Sequence, residues 1–580
     1  MTIDRKIEFQ ATTIFEVDGV APSGDGPMLE SHVMRLIPAR AWALVLLSAV
    51  LQIAIFPIAG PVPFWRAALA WIALAPFLLA LLQPGKTGAP LSLRSAALLG
   101  YLCGILWYMG NCYWIYQTMH IYGGLAEAVS FGILILFALY LGLYHALFAV
   151  LFGLIRSSPL GVRGALMMSP FAWVAVELAR ARITCFPWDL LGYTQVDNYF
   201  VAWLAPLAGV MAISFLLAAA NALFAYFLIP RRSWKLPAGL FAAVAIAQCL
   251  GALRANLVSP VTRGNAAIMM QENIEVGAAG RDAEPLKLTD ELGQFSANSM
   301  HPERFQGFSF GIHGMAVAGN GLWTARTDDA SPTVIIWPEA PSHLISSDPF
   351  FRAAMSQLTQ ATQAPLIIGS LGVDRSDVPK RGYYLYDSAS LFDPAGEYRG
   401  RYDKIHLVPW GEYIPFKQFF SFADKLTEGV GDMDRGHDRS VFSAAGHRYG
   451  VFVCYESIFG DEVRQFVQNG AEVLVNISDD GWYGDSGAPW QHLNMARMRA
   501  IENHRWLLRS TNTGITTAID PEGRMAAQAP RHVRAAFAFP FGFMQGTTFY
   551  TRHGDWFAWL CVAVTVLALG FGMKPTVQLK

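Results

Sequence analysis

Charge is scarce in this 580-residue chain: Asp, Glu, Lys and Arg make up 15% of it, against 53% apolar residues. A soluble domain carries about 25% charged residues, so a wholly water-exposed protein is excluded. The 43 basic and 44 acidic residues nearly cancel. That leaves no basic excess of the kind a nucleic-acid surface needs, and no nucleic-acid partner is expected. Cysteine is sparse and unpatterned. The six residues (103, 112, 185, 249, 454 and 561) include no CxxC pair and no Cys/His ligand spacing, which argues against a disulfide framework and a zinc site. There is no Walker loop and no GxGxxG behind a strand, so nucleotide chemistry has no support. No internal repeat is visible.

The apolar excess is localised. Crossing the hydrocarbon core of a bilayer takes about 20 mostly apolar residues. Seven such runs precede residue 260, near 40–59, 63–83, 95–118, 126–155, 164–180, 200–229 and 237–256, and an eighth spans Trp556 to Met573. The reading is a polytopic α-helical membrane domain of about eight spans. It divides the chain into a soluble N-terminal tail (1–38), a seven-span membrane domain (39–257), a globular domain (258–553), a last transmembrane helix (554–573) and a short tail (574–580). Cations in short loops set orientation. With the N-terminus cytoplasmic, one side collects seven of them: Lys86, Arg94, Arg156, Arg163, Arg231, Arg232 and Lys235. The other side holds Arg180 and Arg182. An odd number of spans then puts the globular domain on the extracytoplasmic side.

Between about 258 and 553 the composition changes. Short β-branched runs bounded by turn residues (TVIIW, PLIIGSLGV, YGVFVC, AEVLVNIS) read as strands, and HLNMARMRAIENHRWLLRS reads as helix. Strands interleaved with helices over about 300 residues make an α/β domain with its own core.

Three segments of this domain carry chemistry. In YGVFVCYESIFGDEV a strand delivers Cys454 into a turn toward a helix, a geometry that presents a nucleophile beside free backbone N–H groups. Alone, a strand-end Cys reads as a small buried hydrophobe. In TVIIWPEAP, Glu339 sits between two prolines at a strand exit, where Pro338 forces extended geometry; alone it reads as an exposed turn residue. In RYDKIHLVPWGEYIPF, Lys404 lies near a strand end, with Glu412 eight residues on. His406 is a conceivable base for Cys454, but no flanking signature supports it.

Together the segments are more specific. The pattern WPE…DKxHLVPxGE…CYE resembles the nitrilase superfamily. With GNCYWIY (110–116), ITCFPWDLLGYTQ (183–195) and YTRHGDW (550–556) around the apolar runs, the chain resembles the membrane-embedded branch of that superfamily, the apolipoprotein N-acyltransferases. The resemblance implies a nitrilase-like αββα sandwich for the globular domain and a Glu-Lys-Cys triad. Cys454 would be the nucleophile, Glu339 the proton acceptor, and Lys404 the stabiliser of oxyanion and thiolate, with Glu412, Tyr455 and Glu456 in support. It implies no cofactor and no metal. The implied reaction is N-acylation of the α-amino group of a diacylglyceryl-cysteine on an apolipoprotein, the last step of lipoprotein maturation. The acyl group would come from a phospholipid such as phosphatidylethanolamine through a Cys thioester. The implied setting is a monomer in the bacterial inner membrane, catalytic domain on the periplasmic side. A membrane-tethered nitrilase-type amidase, with water as acceptor, is the alternative. Two departures from the family pattern stand out: no Trp follows Gln271–Asn273, and residues 280–332 are Gly-rich and long, as in an inserted arm.

Overall fold

The computed structural model describes residues 37–229, 235–257, 265–274, 276, 333–339, 344–376, 382–413 and 432–572. All but the last two residues of the expected N-terminal tail, the expected arm at 280–332 and the C-terminal tail lie outside them.

Each of the eight apolar runs contains a helix. In chain order these are α1 (Ala39–Ala54), α2 (Phe64–Leu81), α3 (Leu93–Asn111), α4 (Glu127–Ser157), α5 (Gly161–Ile183), α6 (Val210–Leu228), α7 (Lys235–Leu257) and, at the far end of the sequence, Trp556–Gly572. Among the described residues, four of them, α2, α4, α5 and α6, are long and apolar enough to cross a membrane by length and composition. Small residues bring α3 and α4 together: a Cβ on Gly104 would lie 2.8 Å from the Gly142 Cα, the close backbone approach that packs helices where lipid offers no hydrophobic drive. Two runs are broken. The run at 95–118 stops as α-helix at Asn111 and continues in short turns to Tyr122. The run at 200–229 is interrupted at Gly209, whose φ is +73° and where a Cβ would meet the Tyr550 ring at 2.6 Å.

The rest of the chain forms two six-stranded sheets. One has the order β12-β1-β2-β3-β4-β5, built from β1 (Asn265–Gln271), β2 (Val334–Ile336), β3 (Leu366–Arg375), β4 (Tyr383–Phe392), β5 (Tyr398–Asp403) and β12 (Ala535–Phe541). The other has the order β11-β10-β9-β8-β7-β6, from β6 (Val441–Ala444), β7 (His447–Val453), β8 (Val473–Ser478), β9 (Leu507–Thr511), β10 (Thr517–Ile519) and β11 (Met525–Gln528). Both sheets have parallel centres, β1-β2-β3 and β7-β8-β9, with antiparallel flanks. Such sheets are covered on both faces. The period of two along β1 shows how. Ala267 and Met269 point into the core shared with the second sheet, while Ile268 and Met270 pack with Phe351 and Met355 of α8 (Pro349–Thr362). On the far side, Val463 and Phe466 of α9 (Gly460–Gln468) and Leu493 and Ala496 of α10 (Ala488–Asn503) close over the second sheet. The result is the expected nitrilase-like αββα sandwich, followed by α11 (Trp556–Gly572).

One sequence expectation needs correction. HLNMARMRAIENHRWLLRS is not helical throughout: α10 ends at Asn503, His504 turns the chain with φ +50°, and Leu507–Thr511 become β9. The apolar pair Leu507-Leu508 fits either periodicity, and pairing with β8 and β10 decides it.

Candidate active site

Three strand exits meet at one end of the sandwich. β2 runs out through Trp337-Pro338 to Glu339, β5 ends one residue before Lys404, and β7 ends one residue before Cys454. The Lys404 side chain is fully buried and its ammonium is the hub. It donates to Glu339 Oε1 at 2.9 Å, Asp387 Oδ2 at 2.8 Å and Glu412 Oε1 at 2.5 Å. Each glutamate is held by its other oxygen. Glu339 Oε2 accepts from the Asp479 N–H at 2.7 Å, and Glu412 Oε2 from the Val408 N–H at 3.0 Å. The carboxylates of Glu339, Asp387 and Glu412 lie within 4.8 Å of one another, close enough to hold a metal ion, but the Lys404 ammonium already occupies the centre.

Cys454 begins a 3₁₀ turn with φ +47°, a left-handed conformation rare for a side-chain-bearing residue and worth about 1–3 kcal/mol of strain. Glu456 holds the elbow. Its Oε2 accepts from the Val453 N–H at 2.7 Å, and its Oε1 from the Tyr402 hydroxyl (2.8 Å) and the Ile405 and His406 N–H groups (2.7 and 3.1 Å). One carboxylate thus ties the strand before the nucleophile to the loop that carries Lys404. From the other side, His492 Nε2 lies 3.1 Å from the Cys454 carbonyl oxygen and 2.7 Å from Ser457 Oγ, while its Nδ1 faces Asp480 Oδ1 at 2.9 Å. Arg509 pairs with the same Asp480 at 2.7 Å.

Electrostatics follow from burial and these partners. Burial pushes the Cys454 thiol well above its ordinary value, Glu339 adds to this and Lys404 opposes it. The resting group is therefore a thiol that needs a base. Burial alone would lower Lys404, but Asp387, Glu339 and Glu412 outweigh it and hold the ammonium well above the usual lysine range. Burial likewise raises Glu412 and Glu456. Asp480 goes the other way: its burial is overcome by Arg509 and His492, and it stays well below the usual aspartate range.

All six residues singled out from sequence fall in this region. His406, the conceivable alternative base, instead faces Glu462 Oε2 at 3.1 Å and stacks on Phe459. Sequence reasoning missed Asp387 and the His492–Asp480–Arg509 network. Asp387 sits inside β4, where an acidic residue with no Lys in view looks like an ordinary exposed strand position. The second left little signal either: Asp480 stands in the polar run SDDGW and His492 in WQHLN, and only the fold buries them with Arg509.

The elbow also marks the junction with the helical half. Cys454 belongs to the core of the sandwich, whereas its neighbour Tyr455 packs into the core formed by the membrane helices. The Tyr455 hydroxyl donates to the Cys185 carbonyl at 3.2 Å, in the loop after α5. Trp188 of that loop lies parallel to the His492 ring, centroids 5.7 Å apart, and donates to Gln491. Glu177 and Arg180 near the end of α5 are buried, and Arg182 bridges Asp461 and Asp555 at 2.9 and 2.6 Å, tying the helices to the sandwich.

Comparison with known proteins matches residues 48–223 to the family described as Apolipoprotein N-acyltransferase N-terminal domain, and residues 326–534 to Carbon-nitrogen hydrolase. An apolipoprotein N-acyltransferase of Geobacter metallireducens is 34% identical over 93% of this chain and 96% of its own length. Those of Methylococcus capsulatus and Vibrio cholerae are 32% and 31% identical, covering 85% and 86% of this chain and 90% of their own lengths. A solved carbon-nitrogen hydrolase from Helicobacter pylori covers 47% of this chain and 87% of its own at 16% identity, with a TM-score of 0.32.

Proposed function

We propose a catalytic cycle from one premise: the chain belongs to the apolipoprotein N-acyltransferase family of the nitrilase superfamily. It is an acyltransferase that N-acylates apolipoproteins, and its acyl donor is a phospholipid. In the cycle Glu339 takes the Cys454 proton as sulfur attacks the carbonyl of a phospholipid ester, the sn-1 ester by family analogy. The oxyanion is met by the Lys404 ammonium and the Tyr455 N–H. The C–O bond breaks, and Glu339 returns the proton to the departing lysophospholipid alkoxide. The α-amine of a diacylglyceryl-cysteine then attacks the thioester and loses a proton to Glu339. The amide forms and Cys454 leaves as thiol. Glu412 holds Lys404, and Glu456 holds the elbow.

The observation that carries this reading is the Lys404 ammonium, fully buried and 2.9 Å from Glu339, in the electrostatic field of a thiol at the seam between sandwich and membrane helices. A seam of this kind suits two substrates that both carry acyl chains, and exclusion of water protects the thioester. We further assign eight spans, the division at residues 257 and 553, the inner membrane, the catalytic domain on its periplasmic side, a monomer, and phosphatidylethanolamine as donor. The test is to incubate purified full-length protein with phosphatidylethanolamine and a diacylated lipopeptide. N-acyl lipopeptide that disappears in Cys454→Ala is the expected product. Free fatty acid alone would overturn the reading in favour of a tethered hydrolase.

A further inference from the structure

We infer that Asp387 is a positioning residue that keeps a proton through the reaction, sharing it with Glu339, so that Lys404 faces two ionised carboxylates and not three. The inference rests on the catalytic reading above. One ammonium surrounded by three carboxylates leaves two surplus negative charges in a buried pocket, the three side chains being 13%, 9% and 12% exposed. Carboxylates so close do not all ionise. The hydrogen bonds say which one holds the proton. Glu339 and Glu412 each accept a backbone N–H on the oxygen that Lys404 does not use, so both oxygens of each side chain already face a donor. Among the described residues, the Asp387 carboxyl accepts only from Lys404 and lies in hydrogen-bond contact with Glu339, to which a protonated Asp387 donates. Burial, with Glu339 adding and Lys404 opposing, pushes Asp387 up to about 8.

Other charges near this part of β4 are already engaged. Asp403 and Arg401 on β5 pair with each other, and Arg401 also pairs with Asp374 on β3. Asp434 accepts from the Leu385 N–H. None is placed to take the proton from Asp387.

The proton matters when the oxyanion forms. Glu339 has then taken the thiol proton and is neutral. With Asp387 also neutral, Lys404 and Glu412 balance, and the oxyanion meets no net negative charge. With Asp387 ionised, the same cluster repels it. Acylation should therefore fall on the alkaline side as Asp387 loses its proton, by about tenfold for an extra charge at this range.

The test follows acyl-Cys454 formation from phosphatidylethanolamine across pH by intact mass, in full-length protein without acceptor. Asp387→Ala is expected to lose acylation. Asp387→Asn, isosteric with the neutral acid, is expected to recover most of that loss without the alkaline fall. An Asn variant that is folded but as inactive as Ala, or that keeps the fall, overturns the inference. An infrared readout needs no activity. In nanodiscs, a protonated-carboxyl band present near neutral pH should vanish in Asp387→Asn. Its titration midpoint should drop in Glu339→Gln, which removes the neighbouring charge; an unmoved midpoint overturns the inference even if Asp387→Asn fails to fold. If the wild type forms no adduct at all, the catalytic reading falls, while the infrared result still judges Asp387.

Discussion

Replacing Glu456 by Gln probes the device that builds the nucleophile's turn. The Glu456 Oε1 takes three donors and its Oε2 takes one, the Val453 N–H. A glutamine keeps the carbonyl oxygen where three donors converge, so its NH₂ faces the Val453 N–H, donor against donor. A buried donor left unmatched costs about 1–3 kcal/mol. The loss falls on the residue before Cys454, whose φ of +47° depends on its neighbours for support. If relaxation of the turn moves sulfur out of line, the same energy appears in the barrier as roughly a ten- to hundredfold slower acylation. Glu456→Ala removes all four contacts and is expected to destabilise the fold by about 3–5 kcal/mol, the range of a broken buried network. The assay is single-turnover acylation of Cys454, paired with thermal unfolding in detergent. A Glu456→Gln protein that acylates at the wild-type rate would refute the reasoning.

Lys404→Ala strands the buried Glu339 and Glu412 carboxylates without their cation and the Asp387 carboxyl without its donor, a loss of about 3–5 kcal/mol, expected as a lowered unfolding temperature together with no detectable acylation. Gly209→Ala forces a Cβ to 2.6 Å from the Tyr550 ring at a φ of +73°. It should lower thermal stability by more than the roughly 1 kcal/mol of an ordinary Gly–Ala exchange, read by the same melt. Asp480 is held below the usual aspartate range, so its contribution is complete above the unfolded-state value of about 4 and lost as pH falls below it. Asp480→Asn should flatten the acid side of the stability profile, measured as unfolding temperature against pH.

The two-part architecture was legible because hydropathy and strand punctuation are local signals. So were Glu339, Lys404 and Cys454, each placed at a strand exit by its own neighbours in sequence. Asp387 was not. Its role depends on the pairing of β4 with β5, which brings the Lys404 N–H to the Asp387 carbonyl at 2.9 Å, and no pattern along β4 reveals the strand beside it. The boundary at His504 was hidden for a similar reason, since the helical stripe of α10 continues in apolar residues that only sheet pairing converts to β9. The number of spans was legible only as apolar runs. The breaks at Asn111 and Gly209 lie where the helices meet the sandwich: Gln491 Nε2 donates to the Asn111 carbonyl at 3.1 Å, and the Val210 N–H to Glu502 Oε1 at 3.0 Å.

Trapping the acyl-enzyme is the most direct measurement. Full-length protein is given phosphatidylethanolamine labelled in its sn-1 chain, digested, and its peptides are mapped. One hydroxylamine-sensitive label on the Cys454 peptide, absent in Glu339→Gln and chased onto an added diacylated lipopeptide, is the expected result. A label on any other residue, or one that forms equally well without Glu339, would contradict the assignment of these groups to the chemistry.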